Sequence, residues 1–196
     1  GETLRKYDAR DNLIMLQDPN NGIQYFTYDK NNRLVSSAKP MGAVTTYEYG
    51  ATGNKTAVAD PKGQRIEYTW SSENRLTQTR YFSADNHSTP VQTIDFTYDC
   101  LGNLLTWNNG TESAQYTYDD LGRKLTETVN YGSFSLSHAY TYTASGEIKT
   151  FTGPNGTPLT YDYDTGGHLA GITIPGVGQT GFSYNSTAWN SPTTMV

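Results

Sequence analysis

Cysteine is almost missing from this sequence. Cys100 stands alone among 196 residues, so no internal disulfide can form. With no histidine near it in sequence, it reads as a small turn residue, not a nucleophile. Long apolar runs are missing too: nothing approaches the roughly 18 residues of a membrane span, and no secretory leader is recognisable. Positive charge is scarce, with 14 Lys and Arg against 19 Asp and Glu for a net charge of −5. A nucleic-acid binder needs a basic face to displace counterions, and so does a protein held on an anionic membrane. Neither partner is expected. Apolar residues make up only 35% of the chain, which leaves little for an aliphatic core.

Tyrosine, by contrast, occurs 16 times. Its ring fills space while its hydroxyl stays wet or finds a partner, so the buried layer is expected to be aromatic and partly polar. The tyrosines fall in a repeated phrase, cleanest at Tyr116-Thr117-Tyr118-Asp119-Asp120-Leu121-Gly122-Arg123-Lys124-Leu125. A truncated copy opens at Tyr7. The second aromatic of later copies is Tyr28, Tyr49, Trp70, Tyr98, Tyr118, Tyr142, Tyr163 and Tyr184, at successive intervals of 21, 21, 21, 28, 20, 24, 21 and 21 residues. A period of 20 to 50 residues marks a repeat architecture.

Each copy carries an aromatic pair at period two, such as Phe26/Tyr28, Tyr68/Trp70 or Tyr140/Tyr142. Residues two apart in a strand face the same way, whereas a helix would scatter them, so the rings are expected to line one face of a sheet. Asp8, Asp29, Asp99, Asp119 and Asp164 follow the pair and can cap a turn by bonding forward to backbone amides. Four residues beyond the aromatic stand Asp11, Asn32, Gly53, Asn74, Gly102, Gly122, Gly146 and Gly167, all tolerant of the left-handed conformation a short hairpin loop needs. The return strand is expected to open at Leu13, Leu34, Leu76, Leu104, Leu125, Ile148 or Leu169, with Lys55 the exception. A second turn follows at 18–22, 39–42, 60–63, 108–110 and 153–156, closed by its glycine. A longer loop at 83–90 accounts for the 28-residue interval and is expected to be mobile.

Two strands per repeat give about sixteen to eighteen strands. At about 4.8 Å each the sheet would run roughly 80 Å, too far to stay flat, so it is expected to curl, spiral or close. The fold class is all-β: antiparallel hairpins in one continuous unit over residues 1–196. Because the chain starts in mid-repeat, it is expected to be a piece of a longer polypeptide.

The phrase resembles the YD repeat of the Rhs (rearrangement hotspot) proteins. That repeat also occurs in wall-associated bacterial proteins, in the C components of insecticidal toxin complexes and in teneurins. The resemblance rests on Tyr28-Asp29-x-x-Asn32-Arg33-Leu34, Tyr98-Asp99-x-x-Gly102-Asn103-Leu104 and Tyr118-Asp119-x-x-Gly122-Arg123, and covers essentially the whole chain. It is degenerate at Tyr49-Gly50, Trp70-Ser71, Tyr142-Thr143 and Tyr184-Asn185. It implies a spiralling β-shell that, in bacterial members, encloses a C-terminal toxin, and hence a secreted or surface location. The partners it implies are further repeats and cargo of the same polypeptide. The family's self-cleaving core segment, with its Asp-Pro-x-Gly-Leu ending, is absent.

No residue pattern asks for a cofactor or metal: His87, His138 and His168 show no ligand spacing. A glycosidase needs a single pair of carboxylates, and these aspartates recur with the repeat, so no enzyme is expected. Arg33, Arg75 and Arg123 share one place in three repeats. They could form a polar ligand track, or stack on neighbouring rings and pair with the repeat aspartates. The alternative function is a carbohydrate-binding or adhesion module, with Trp70, Trp107 and Trp189 as platforms for cell-surface glycans.

Overall fold

A computed structural model describes residues 2–184 and 192–195, with backbone alone for Tyr184 and the last four. The chain divides into two compact units, Gly1–Phe96 and Thr97–Val196. The first holds β1 (Leu4–Tyr7), β2 (Leu13–Gln17), β3 (Ile23–Tyr28), β4 (Leu34–Ala38), β5 (Val44–Tyr49), β6 (Lys55–Ala59), β7 (Arg65–Trp70) and β8 (Leu76–Phe82). The boundary falls within β9 (Gln92–Tyr98). The second holds β10 (Leu104–Asn108), β11 (Ser113–Tyr118), β12 (Lys124–Asn130), β13 (Ser135–Tyr142), β14 (Ile148–Thr152), β15 (Pro158–Tyr163), β16 (Leu169–Ile174), β17 (Gly178–Tyr184) and β18 (Pro192–Met195). In each unit, successive strands pair antiparallel in chain order. Apart from one 3-10 turn at Pro40–Gly42, the described residues are strand and loop. The expected all-β architecture is present.

The turn after each aromatic pair shows why the phrase reads as it does. At Asp29 the backbone N–H donates to the Arg33 carbonyl (2.9 Å), and the Asn32 N–H to the Asp29 carbonyl (3.1 Å). The Asp29 Oδ1 accepts from the N–H groups of Asn31 (2.8 Å) and Arg33 (3.0 Å). A tight turn followed by a left-handed residue produces a bulge in the return strand. The left-handed residues are those expected, from Asp11 (φ 62), Asn32 (φ 60) and Gly53 (φ 90) to Gly122 (φ 76) and Gly167 (φ 79). The register slips at the second aromatic each time: Thr27 faces Ser36, yet Tyr28 faces Leu34. Equivalent slips fall at Tyr7, Tyr49, Trp70, Tyr118, Tyr142, Tyr163 and Tyr184.

Three details differ from expectation. The return strand of the cleanest copy opens at Lys124, not Leu125, because Lys124 pairs with Tyr118 as Lys55 does with Tyr49. Turn geometry sets that position, so a lysine serves as well as a leucine. In the second turn at 18–22, the left-handed residue is Asn21 (φ 65), one before the glycine. That turn copies the first kind, with Asp18 Oδ1 accepting from Asn20 (2.8 Å) and Gly22 (2.9 Å). Finally, the loop after β8 is tied down. Asn86 Oδ1 caps Ser88 (2.8 Å), the His87 ring nitrogen reaches the Gly63 carbonyl (2.8 Å), and Phe82 is buried at its base.

Each unit presents two unlike faces. The aromatic pairs are half-buried, and the residue between them, such as Thr27, Glu48, Thr69, Thr117 or Thr141, is exposed. Tyr47, Val58, Ile66 and Tyr81 are paired in register across β5–β8 on the aromatic face. The opposite face of the second unit carries hydroxyls. Thr97–Thr106, Thr117–Thr126 and Thr141–Thr150 each share a hydrogen bond at 2.6 Å, and Thr128–Ser137 one at 2.9 Å. In the first unit that face holds an ionic network over Ala57. Arg65 binds both Glu48 oxygens (2.7 and 2.9 Å) and Glu67 (2.9 Å), and Arg80 binds Glu67 (2.7 Å). Among the described residues only Met15, Ala57, Thr79, Phe82, Ala114 and Gly171 are buried, and no large side chain is fully so. An ordinary domain closes its core between two layers. Neither unit does.

Candidate functional surface

The aromatic face and the turns at its edge hold an interaction that recurs from one repeat to the next. Each ladder between one repeat and the next begins two residues late. The β4–β5 pairing starts at Ser36, leaving the Leu34 carbonyl at the head of β4 without a strand partner. A polar backbone group in a half-buried place needs a partner. The Tyr49 hydroxyl supplies it at 2.9 Å. The same bond joins Tyr28 to Leu13 (3.0 Å), Tyr118 to Leu104 (2.9 Å), Tyr142 to Lys124 (2.7 Å) and Tyr163 to Ile148 (2.8 Å). Trp70 fits the series because its indole N–H donates to the Lys55 carbonyl at 2.7 Å. The second aromatic is therefore a rung of the ladder made by a side chain. Burial raises the Tyr49, Tyr118 and Tyr163 hydroxyl pKa values, so these donors keep their protons.

Arginine clamps the turns. Arg33 binds Asp29 through Nε (2.7 Å) and a terminal nitrogen (2.6 Å), lies 4.6 Å from the Tyr49 ring centroid, and donates to the Gly50 carbonyl (3.2 Å). Arg123 repeats this with Asp119 (2.7 Å), the Tyr142 ring (4.7 Å) and the Thr143 carbonyl (3.3 Å). Of the two readings of these arginines, stacking and pairing describe both. The backbone N–H and guanidinium of Arg33 hold the Asp29 carboxyl below its ordinary pKa. At Asp119 burial pushes upward, but the Arg123 donors outweigh it.

Other residues fill the same positions with matching chemistry. Asp99 accepts from the Asn103 backbone and amide (both 2.8 Å), and Asp164 from the His168 backbone (2.9 Å) and ring (3.1 Å). Where lysine opens the return strand, its ammonium sits over the first ring of the pair. Lys55 lies 4.9 Å from the Tyr47 centroid, and Lys124 4.9 Å from that of Tyr116.

The expected residues thus come together as a repeating structural unit. Gly122 takes the left-handed turn position, and Tyr98, half-buried, ends β9. Tyr184 closes β17, but its side chain, like all of Trp189, lies outside the described residues. Of the residues expected as glycan platforms, Trp70 donates its indole N–H in its rung, and Trp107, half-buried, donates to the Tyr116 hydroxyl at 3.2 Å. His138 stacks on Phe151 at 5.6 Å. Among the described residues no cluster of His, Cys, Asp or Glu could hold a metal ion. The carbonyl acceptors at the strand heads were invisible in sequence, since any residue type supplies one. The offset of 14 to 18 residues to the next aromatic was the only available signal.

Comparison with known proteins places this geometry. The family described as teneurin YD-shell matches residues 42–192. The tRNA3(Ser)-specific nuclease WapA of Bacillus spizizenii is 28% identical over 195 residues, covering 85% of this chain and 8% of that protein. The crystal structure of TcdB2-TccC3 without its hypervariable C-terminal region superposes with a TM-score of 0.73 at 17% identity, over 94% of this chain and 11% of that one. A Tc holotoxin pore from Photorhabdus luminescens gives 0.66 at 16% identity, over 94% and 13%. At these identities the structural likeness is one of fold. The chain spans about a tenth of the length of these relatives.

Proposed function

Because the chain belongs to the teneurin YD-shell family, we propose that it is a stretch of shell wall enclosing a C-terminal toxin segment of its own longer polypeptide, which is secreted or displayed at the cell surface. The observation that carries this reading is the latch between hairpins. Within each unit a side-chain rung bridges successive hairpins where the backbone ladder is still open, as at Tyr28 and Tyr163, so the wall of each unit is closed even at its turns. A wall has to exclude protease and solvent traffic, and a gap two residues deep beside every turn would weaken it. The work is containment and needs no catalytic group. The recurring aspartates are engaged in holding turns, and in this reading the segment performs no chemistry of its own.

The test is limited proteolysis of the full-length polypeptide followed by intact-mass analysis. The expected result is a C-terminal piece that stays associated and resists protease until the repeats are unfolded. A C-terminal region digested at the same rate before and after unfolding would remove containment and leave a surface-adhesion role.

A further inference from the structure

One turn of the series breaks the arginine pattern. Arg33 and Arg123 each stand five residues beyond the second aromatic of their copy, and five residues beyond Tyr142 the chain has Glu147 instead. The backbone around it is unchanged. The Thr143 N–H donates to the Glu147 carbonyl (2.8 Å) and the Gly146 N–H to the Thr143 carbonyl (3.2 Å), as in the turns at Asp29 and Asp119. Ile148 opens the return strand, and the Tyr163 hydroxyl meets its carbonyl at 2.8 Å. The Tyr163 ring thus holds the place that the Tyr49 ring has under Arg33 and the Tyr142 ring under Arg123. The Asp164 carbonyl matches the Gly50 and Thr143 carbonyls that accept from those two guanidiniums.

Glu147 reaches the same spot with the opposite charge. Arg123 Nη1 lies 4.0 Å from the position a Cβ on Gly146 would take, and Glu147 Oε1 lies 3.6 Å from that position on Gly167. Its other oxygen accepts from the Thr143 hydroxyl. The hydroxyls of Thr143 and Ser145 hold the Glu147 carboxyl below its ordinary pKa, so it is ionised at neutral pH. In front of it lies an open cleft of about 740 Å³ that also reaches Tyr163 and Asp164. Three carboxylates line it, those of Glu147, Asp162 and Asp164, against the one ammonium of Lys149.

We propose that this cleft is a binding site for a guanidinium group supplied from outside the turn, which pairs with Glu147, donates to the Asp164 carbonyl and stacks on the Tyr163 ring. The chain itself shows the chemistry of the guest. At Tyr49 and Tyr142 the equivalent ring and carbonyl already hold a guanidinium, 4.6 and 4.7 Å from the ring centroids. Exchanging that resident arginine for glutamate removes the cation and leaves a carboxylate, whose two oxygens match the planar fork of a guanidinium. The ring face attracts the same charge. An ammonium has no planar face to lay on the ring, so arginine is favoured over lysine. The site does not depend on containment and stands or falls separately from it.

Saturation-transfer NMR on the full-length polypeptide tests it, with free L-arginine and N-acetyl-arginine amide as probes. Transfer to the side-chain methylenes is expected for at least one probe and not for the neutral N-acetyl-glutamine amide. Signals from both probes assign the site to the guanidinium group itself. A signal from the capped probe alone assigns it to an arginine within a polypeptide, and from free arginine alone to the amino acid. Glu147→Gln keeps the shape and removes the charge, and is expected to weaken binding about tenfold. Glu147→Arg fills the cleft from within, as Arg33 and Arg123 do, and should abolish binding. Asp85→Arg, in an exposed loop of the other unit, makes the same change of charge and should leave binding as it was. No transfer from the native polypeptide, or transfer that either Glu147 variant leaves undiminished, would overturn the proposal.

Discussion

The Tyr49 hydroxyl and the Leu34 carbonyl meet at 2.9 Å across fifteen residues of chain. One is at the end of β5 and the other at the head of β4, where the bulge after Asp29 has left the backbone ladder short. The same join recurs through both units, each time at the slip in register.

Replacing Tyr49 with Phe keeps the ring under Arg33 and removes only the donor. The expected loss is about 1 kcal/mol, the cost of leaving a half-buried carbonyl unmet. Tyr163→Phe, in the other unit, should cost a similar amount, and the two should add, because they share no partner. Urea unfolding of the single and double variants measures both, and a double variant no weaker than either single one would contradict the latch model.

Acid should loosen the turns. The Asp29 carboxyl is held below its ordinary value of 3.8, first by the Arg33 backbone N–H and then by its guanidinium. Asp8 and Asp99 are lowered too, first by the side-chain amides of Asn12 and Asn103 and then by their backbone N–H groups. A depressed folded-state pKa means the unfolded chain binds protons first, so the stabilisation is whole above about pH 4 and is lost as pH falls through the folded values. Melting temperatures between pH 7 and pH 2.5 should show this slope, and Asp29→Asn should flatten it.

Gly53 sits at φ +90 with nothing within 4 Å of the position a Cβ would take. Gly53→Ala therefore isolates backbone strain, with an expected cost of about 1–2 kcal/mol. Gly53→Asn should cost less, since Asn32 and Asn74 already hold φ 60 in equivalent turns. Denaturant midpoints of the two variants, ranked Asn above Ala, would confirm the assignment.

Ala57 is only 1% exposed, in register with Glu48 and Glu67 beneath the Arg65 network. Ala57→Leu must push those charged side chains aside, with an expected cost of about 1–3 kcal/mol from overpacking. The outward-facing Thr69 offers the control: Thr69→Leu, on the same face but exposed, should change stability by less than about 0.5 kcal/mol.

Much of this was legible in the residues themselves. Period-two aromatic pairs fix strands and their shared face, because side chains in a strand alternate. Asp followed at a fixed distance by Asn or Gly fixes the turn, because few residues accept a positive φ. The resemblance carried by Tyr28-Asp29 and Tyr118-Asp119 gave the family. What the sequence could not give depends on atoms common to every residue or on distant neighbours. The Leu34 carbonyl looks like any other until the β4–β5 ladder is seen to start at Ser36. Lys124 takes the strand head ahead of Leu125 because bulge geometry, not hydrophobicity, sets the register. Local turn chemistry belongs to the sequence; which backbone groups are left over for side chains is decided by pairing in three dimensions.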